Sequence, residues 1–311
     1  MSKLVVAALV MAGMAAGQGA APAPRIGAMR VKGNVYLIYG AGPNITAQIG
    51  DQIVTLVDAG PADVSEGILA AIRTISNKPV GFLIQTCADK DRVSGTANLA
   101  EGGFFMLESA NQSRPQASVI AHLNVLVRMT AKDSGYPEAI WPTDTYNDTD
   151  WKLYANGEPI IVEHQANAHS DGDSIVFFRS SDVVSTGALF DMTGYPVIDT
   201  QHGGTLQGIL NSLNHILKDI TVPESNEQGG TMIIPGRGHI CDRNDLANYR
   251  DMLTIIHDRI LDLVKKGRTL EEVKAARPTY DYDGGYGIDH GPWTTNMFIE
   301  TVYRELKGER K

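Results

Sequence analysis

Phe82-Leu83-Ile84-Gln85-Thr86-Cys87-Ala88-Asp89-Lys90-Asp91-Arg92-Val93-Ser94-Gly95 carries the reading of this chain. An apolar run of strand length enters a loop where Cys87, Asp89 and Asp91 alternate, and a helix follows. Loops at the ends of strands are where a rigid scaffold displays reactive groups. Cys and Asp both bind zinc when deprotonated. Asp also caps helix N-termini, so the stretch alone admits a purely structural reading.

Working outward, the segments 35–39, 45–49 and 53–58 read as successive strands separated by Gly, Pro and Asn turn signals, an antiparallel meander. Val64, Ile68, Ile72 and Ile75 have helical spacing behind a capping Asp63. Strand 80–86 then leads into the key loop. Beyond it, helix 91–100, strand 118–121 and helix 123–132 alternate, and the polar segment 141–151 reads as a surface loop that could border a cleft. The second half repeats the logic, with strands at 159–163, 174–178, 183–186 and 232–234 and helices at 206–217, 243–266 and 295–306. Two βα-rich halves imply stacked sheets with helices outside.

The 311 residues are 43% hydrophobic and 20% charged, enough to bury a substantial core. A net charge of −9 and a pI near 5.4 argue against a nucleic-acid partner, which needs clustered Lys and Arg. Lys3, the apolar run 4–16 and Ala21-Pro22-Ala23-Pro24 form the pattern of a secretory signal cleaved near residues 16–20. The run is too short to span a bilayer comfortably. The expectation is a periplasmic or secreted protein with no membrane contact after cleavage. In such a compartment Cys87 and Cys241 can pair as a disulfide, which would remove Cys87 as a ligand; the sequence leaves both states open.

The strand, ligand-rich loop and helix of the first half, followed by Asn167-Ala168-His169-Ser170-Asp171-Gly172-Asp173-Ser174 and then Pro235-Gly236-Arg237-Gly238-His239, resemble the metallo-β-lactamase superfamily over roughly residues 31–263. Leu56-Val57-Asp58-Ala59-Gly60, Asn156-Gly157-Glu158-Pro159 and Thr186-Gly187-Ala188-Leu189-Phe190 fall where comparable segments do. The resemblance implies an α/β protein, an αββα four-layer sandwich, as a single domain over 28–311 with a C-terminal helical appendage. It places a metal site at the strand ends between the halves.

The family loop reads His-x-His-x-Asp-His, and here those positions hold Cys87, Asp89, Asp91 and Arg92, with only Asp91 retained. The resemblance matches His169 to the family's third histidine, Ala188 to a later ligand and Arg237 to the final histidine. Cys87, Asp89 and His169 would therefore hold one zinc ion, a set of three that leaves the fourth position open, as catalytic zinc requires. The second metal position would be lined by Asp91, Arg92, Ala188 and Arg237, and guanidinium cannot ligate a cation. Asp91 would pair with Arg92 or Arg237 and serve catalysis, orienting water or taking its proton. The two arginines would hold an anionic substrate end, unless the pair only fills a decayed site. Asp171 and Asp173 would cap or orient the His169 loop. His239 could reach the site only through a shifted loop.

Two functions follow as expectations. One is an exported mononuclear zinc hydrolase acting on an amide, ester or lactone of a small molecule. The other is an inactive relative that binds a small molecule or a protein in the old cleft.

Overall fold

The computed structural model describes residues 25–103, 116–223 and 229–309. The signal segment lies outside them. Strands are β1 Gly27–Lys32, β2 Val35–Tyr39, β3 Ile45–Ile49, β4 Val54–Val57, β5 Val80–Ile84, β6 Ser118–His122, β7 Asp144–Tyr146, β8 Asp150–Ala155, β9 Glu158–His164, β10 Ser174–Phe178, β11 Val183–Ser185 and β12 Met232–Ile234. Helices are α1 Ser65–Arg73, α2 Lys90–Val93, α3 Thr96–Ala100, α4 Leu123–Thr130, α5 Leu206–His215, α6 Arg243–Lys265, α7 Leu270–Ala275, α8 Asp283–Tyr286 and α9 Thr295–Lys307.

β1 to β7 form one sheet in chain order, antiparallel through β4 and parallel from β4 to β7. Leu56 lies opposite Leu83, and Ile84 opposite Ile120. The second sheet runs β12-β11-β10-β9-β8, antiparallel except for the β11–β12 pair. β5 is buried along its whole length, which is why its sequence is an unbroken apolar run rather than an alternation.

The sheets meet face to face through Leu37, Phe82, Ile84 and Ile120 from the first and Val162, Val176, Phe178 and Ile234 from the second. Ile68 and Leu99 cover the outer face of the first sheet. On the far side Ile209, Leu253 and Ile256 pack with Phe298 and Val302 of α9. The C-terminal helix is thus part of the outer layer. Helices, sheet, sheet and helices give the four layers expected. Among the described residues no helix is long and apolar enough to cross a membrane.

Several segments differ from the sequence reading, β8 among them, since the strand assignments left out Asp150–Ala155. The 141–151 segment contains β7, because Ile120–His122 offers a parallel edge that Asp144–Tyr146 completes. The single helix expected over 91–100 is two, α2 and α3, separated at Ser94 and Gly95, where the Gly95 amide donates to Gly60 O instead of continuing a helix. β1 carries little burial contrast and so left no periodic signal.

Candidate metal centre

β5 ends at Ile84, and the chain turns through Thr86, Cys87 and Asp89 before α2 begins. The loop is fixed from both sides. Asp58 follows β4 with φ 63°, a left-handed conformation Asp tolerates better than most side chains. Its carboxylate accepts from the Thr86 amide and hydroxyl, each at 2.9 Å, and from Arg92 Nη1 at 3.2 Å. From the second sheet, the Ser174 amide donates to Thr86 O at 2.8 Å. Gly187 sits at φ 55° with its Cα side facing Thr86 Oγ1, and a Cβ at Gly236 would strike Gly187 O and the Arg92 guanidinium. These two glycines let three loops meet with no side chain between them.

Cys87 and His169 are buried, while the Asp89 side chain is one-third exposed. Their ligand-capable atoms all lie within 4.8 Å of one another. The structure therefore brings together the three residues assigned to the first site. His169 Nδ1 is 3.1 Å from Asp173 Oδ1 and Nε2 is 3.4 Å from Asp89 Oδ2. Asp173 itself accepts from the Ser170 amide and hydroxyl at 2.6 and 2.8 Å, so its carboxylate cannot swing away from the imidazole.

The electrostatics favour a cation here. Burial works against charge on His169, but Asp173 and Asp89 outweigh it and raise its pKa to about 9. Burial, joined by Asp89, pushes the Cys87 thiol well above its ordinary value, against the pull of Arg92. Burial likewise pushes the Asp58 carboxyl upward, opposed by Arg92 and the Thr86 hydrogen bonds. Thiol, carboxyl and imidazole converging in an acidic setting are a zinc-type donor set with an accessible face on the Asp89 side. The histidine held by a carboxylate through its other nitrogen matches the way metal-binding imidazoles are oriented. The residues fit a zinc-type cation.

Asp91 pairs with Arg237, which also lies 3.6 Å from Asp191. Both members of the pair are partly exposed. Arg92 is not its partner. It is 3% exposed and committed to Asp58, so it underlies the site and is not open to a substrate; this corrects the substrate-binding role expected for it. Asp171 anchors the His169 loop to α4 rather than touching the ring. Its carboxylate accepts from Arg128 at 2.5 Å and its carbonyl from Asn124, so only Asp173 of the two holds His169. Cys87 and Cys241 are both free thiols, not a disulfide. His239 joins Cys241 and Asp245 in a separate group.

Asp58 and Asp191 were not assigned roles from the sequence. The Asp-Ala-Gly after an apolar strand was the only local sign of Asp58; nothing near Asp191 marks it, because its partner is 46 positions away in the chain.

No protein-family profile matches the chain, and no curated protein sequence is similar to it. Among solved structures, the stereoselective inverting sec-alkylsulfatase Pisa1 from Pseudomonas sp. superposes with TM-score 0.65 at 14% identity, covering 90% of this chain and 50% of that one. DIM-1 metallo-β-lactamase superposes at 0.56 with 18% identity over 74% of this chain and 98% of its own. A metallo-β-lactamase from Pontibacter korlensis gives 0.56 at 15% identity, covering 74% and 99%. The chain has the metallo-β-lactamase fold. It spans about half the length of the alkylsulfatase.

Proposed function

We propose that this chain is an exported metal-dependent hydrolase with a single zinc ion held by Cys87, Asp89 and His169, acting on an amide, ester or lactone of a small molecule. The observation that carries the reading is the convergence of those three donors around an imidazole already oriented by Asp173. Zinc held there would supply Lewis acidity and make water nucleophilic near neutral pH.

The chain's own side chains supply the rest. Asp173 fixes the His169 ring so that Nε2 faces the donor group. Asp91, on the first turn of α2 and partly exposed, is placed to orient the attacking water or to take its proton. Arg237 holds Asp91 in position, and the exposed part of its guanidinium can meet an anionic substrate group. Arg92 acts from below, tying Asp58 and therefore Thr86 beneath the Cys87 loop. Sulfate esters join the substrate classes to screen, since one structural neighbour is an alkylsulfatase.

A second reading has its own support. Arg237 already neutralises Asp91, and that pair suits a cleft that binds without turning over. The test is elemental mass spectrometry on protein purified without chelators or affinity metal, alongside His169→Ala. The hydrolase reading expects about one zinc per chain to be lost in His169→Ala together with ester or lactone hydrolysis. Equal metal content in both proteins, with no turnover in either, would move the assignment to a binding protein.

A further inference from the structure

A second set of ligand-capable side chains follows Arg237 in the chain. His239 sits in a bend, and two residues on Cys241 forms an isolated antiparallel bridge with Ile233. Cys241 is held there by reciprocal backbone hydrogen bonds with Ile233 of β12, each 2.8 Å. Asp242 then caps α6, and Asp245 returns one turn later as the other half of the capping box. One oxygen of Asp245 receives the Asp242 amide at 3.2 Å.

We propose that His239, Cys241 and Asp245 form a second site, for a thiophilic divalent cation of the zinc type, which braces the 235–245 segment. The imidazole, thiol and carboxylate donor atoms all lie within 4.8 Å of one another. Zinc ligation at about 2.0–2.3 Å needs donor separations of roughly 3.5 Å, so the group has to close by at most about 1.3 Å. His239 is exposed and free to make that movement, whereas Cys241 is anchored and 1% exposed. The thiol's present partners are Met192 Sδ and His239 O at 3.2 Å. Sulfur hydrogen bonds of this kind are weak, so a cation can displace them. Binding exchanges the Cys241 S–H proton, released to solvent, for a metal–sulfur bond.

The consequence reaches the other site through the backbone. The Met192 amide donates to Arg237 O at 3.1 Å, and Asp191 pairs with the Arg237 side chain. A cation joining strand end, loop and helix start at 239–245 would limit movement of the arm that carries Arg237 toward Asp91.

Cobalt(II) is the probe, because thiolate ligation gives it a charge-transfer band. The double variant Cys87→Ser/His169→Ala removes the thiol and imidazole of the first site, so its failure and that of the hydrolase reading are separable. The expected result is one cobalt per chain in this background, with a thiolate band that Cys241→Ser abolishes. His239→Ala, a surface change that spares the fold, should weaken binding at least 10-fold. No bound cobalt in the double variant overturns the proposal, and so does binding that His239→Ala leaves unchanged.

Discussion

At the scale of single residues, His169 decides what the site can hold. Its two ring nitrogens face two carboxylates, Asp173 at 3.1 Å and Asp89 at 3.4 Å, and these do different work. Asp173 is 1% exposed and bonded to Ser170 through both oxygens, so it is part of the scaffold. Asp89 is exposed enough to turn toward a cation. Replacing Asp173 by Asn removes the charge and keeps the volume, and zinc affinity should then fall about 10- to 100-fold while the fold survives. Competition against a chelating dye measures this directly. Unchanged affinity would show that His169 Nε2 is not a ligand. Arg92 illustrates the opposite case: a guanidinium that looked available in the sequence is a buried counter-ion to Asp58. Position along the chain made Asp91, its neighbour, the natural partner, but only the meeting of β4 and α2 reveals that Asp58 is nearer.

Elements explain which parts of the sequence were legible. Strands β2 to β6 and helices α1, α4, α6 and α9 were readable within a few residues because each buries one face, or both, and the pattern of apolar positions records it. β7 was not, since it is three residues with Pro142 and Thr143 before it and polar residues after. The cluster of Cys87, Asp89 and His169 was legible as a list because the resemblance placed those residues together; the His239 group was not, because it joins strand end and helix start across a loop. The start of α4 makes its own prediction. His122 ends β6, and its Nδ1 accepts from the Asn124 amide at 3.3 Å as the helix N-cap. The ring stacks on His164 at 3.7 Å, with Tyr146 edge-on and Asp171 nearby. Burial first, and the neighbouring His164 second, lower its pKa to about 4 despite Asp171. The unfolded chain takes up this proton near pH 6.5. Stability from the neutral cap is therefore fully present above pH 6.5 and is lost as pH falls through 4. His122→Asn keeps a capping acceptor without a titrating ring, so its urea midpoint should fall less steeply between pH 6.5 and 4, by on the order of 2 kcal/mol across the window. Parallel slopes would assign the acid limb to other groups.

For the whole molecule, the placement of the donors matters more than their number. Cys87 and Asp89 follow β5 of the first sheet, and His169 precedes β10 of the second. A cation at the first site would therefore tie the two halves at the loop end, in addition to the shared core of Phe82, Ile84, Val162 and Phe178. That core makes the halves interdependent, so thermal unfolding should remain one transition with or without metal. A ligand that binds only the folded state stabilises it by about 2.7 kcal/mol at a hundredfold excess over its dissociation constant. In a domain of this size each kcal/mol is worth roughly 2–4 °C, so zinc added to chelator-stripped protein should raise the midpoint by about 5–10 °C. In His169→Ala the share of that rise that comes from the first site should vanish, because the link from the second half is gone while Cys87 and Asp89 remain, and only a smaller rise from the His239 group should persist. Calorimetry of the two proteins, each with and without zinc, decides the matter. An equal rise in both would put the stabilising cation at the His239 group, where the donors come from one continuous segment and the halves are not joined.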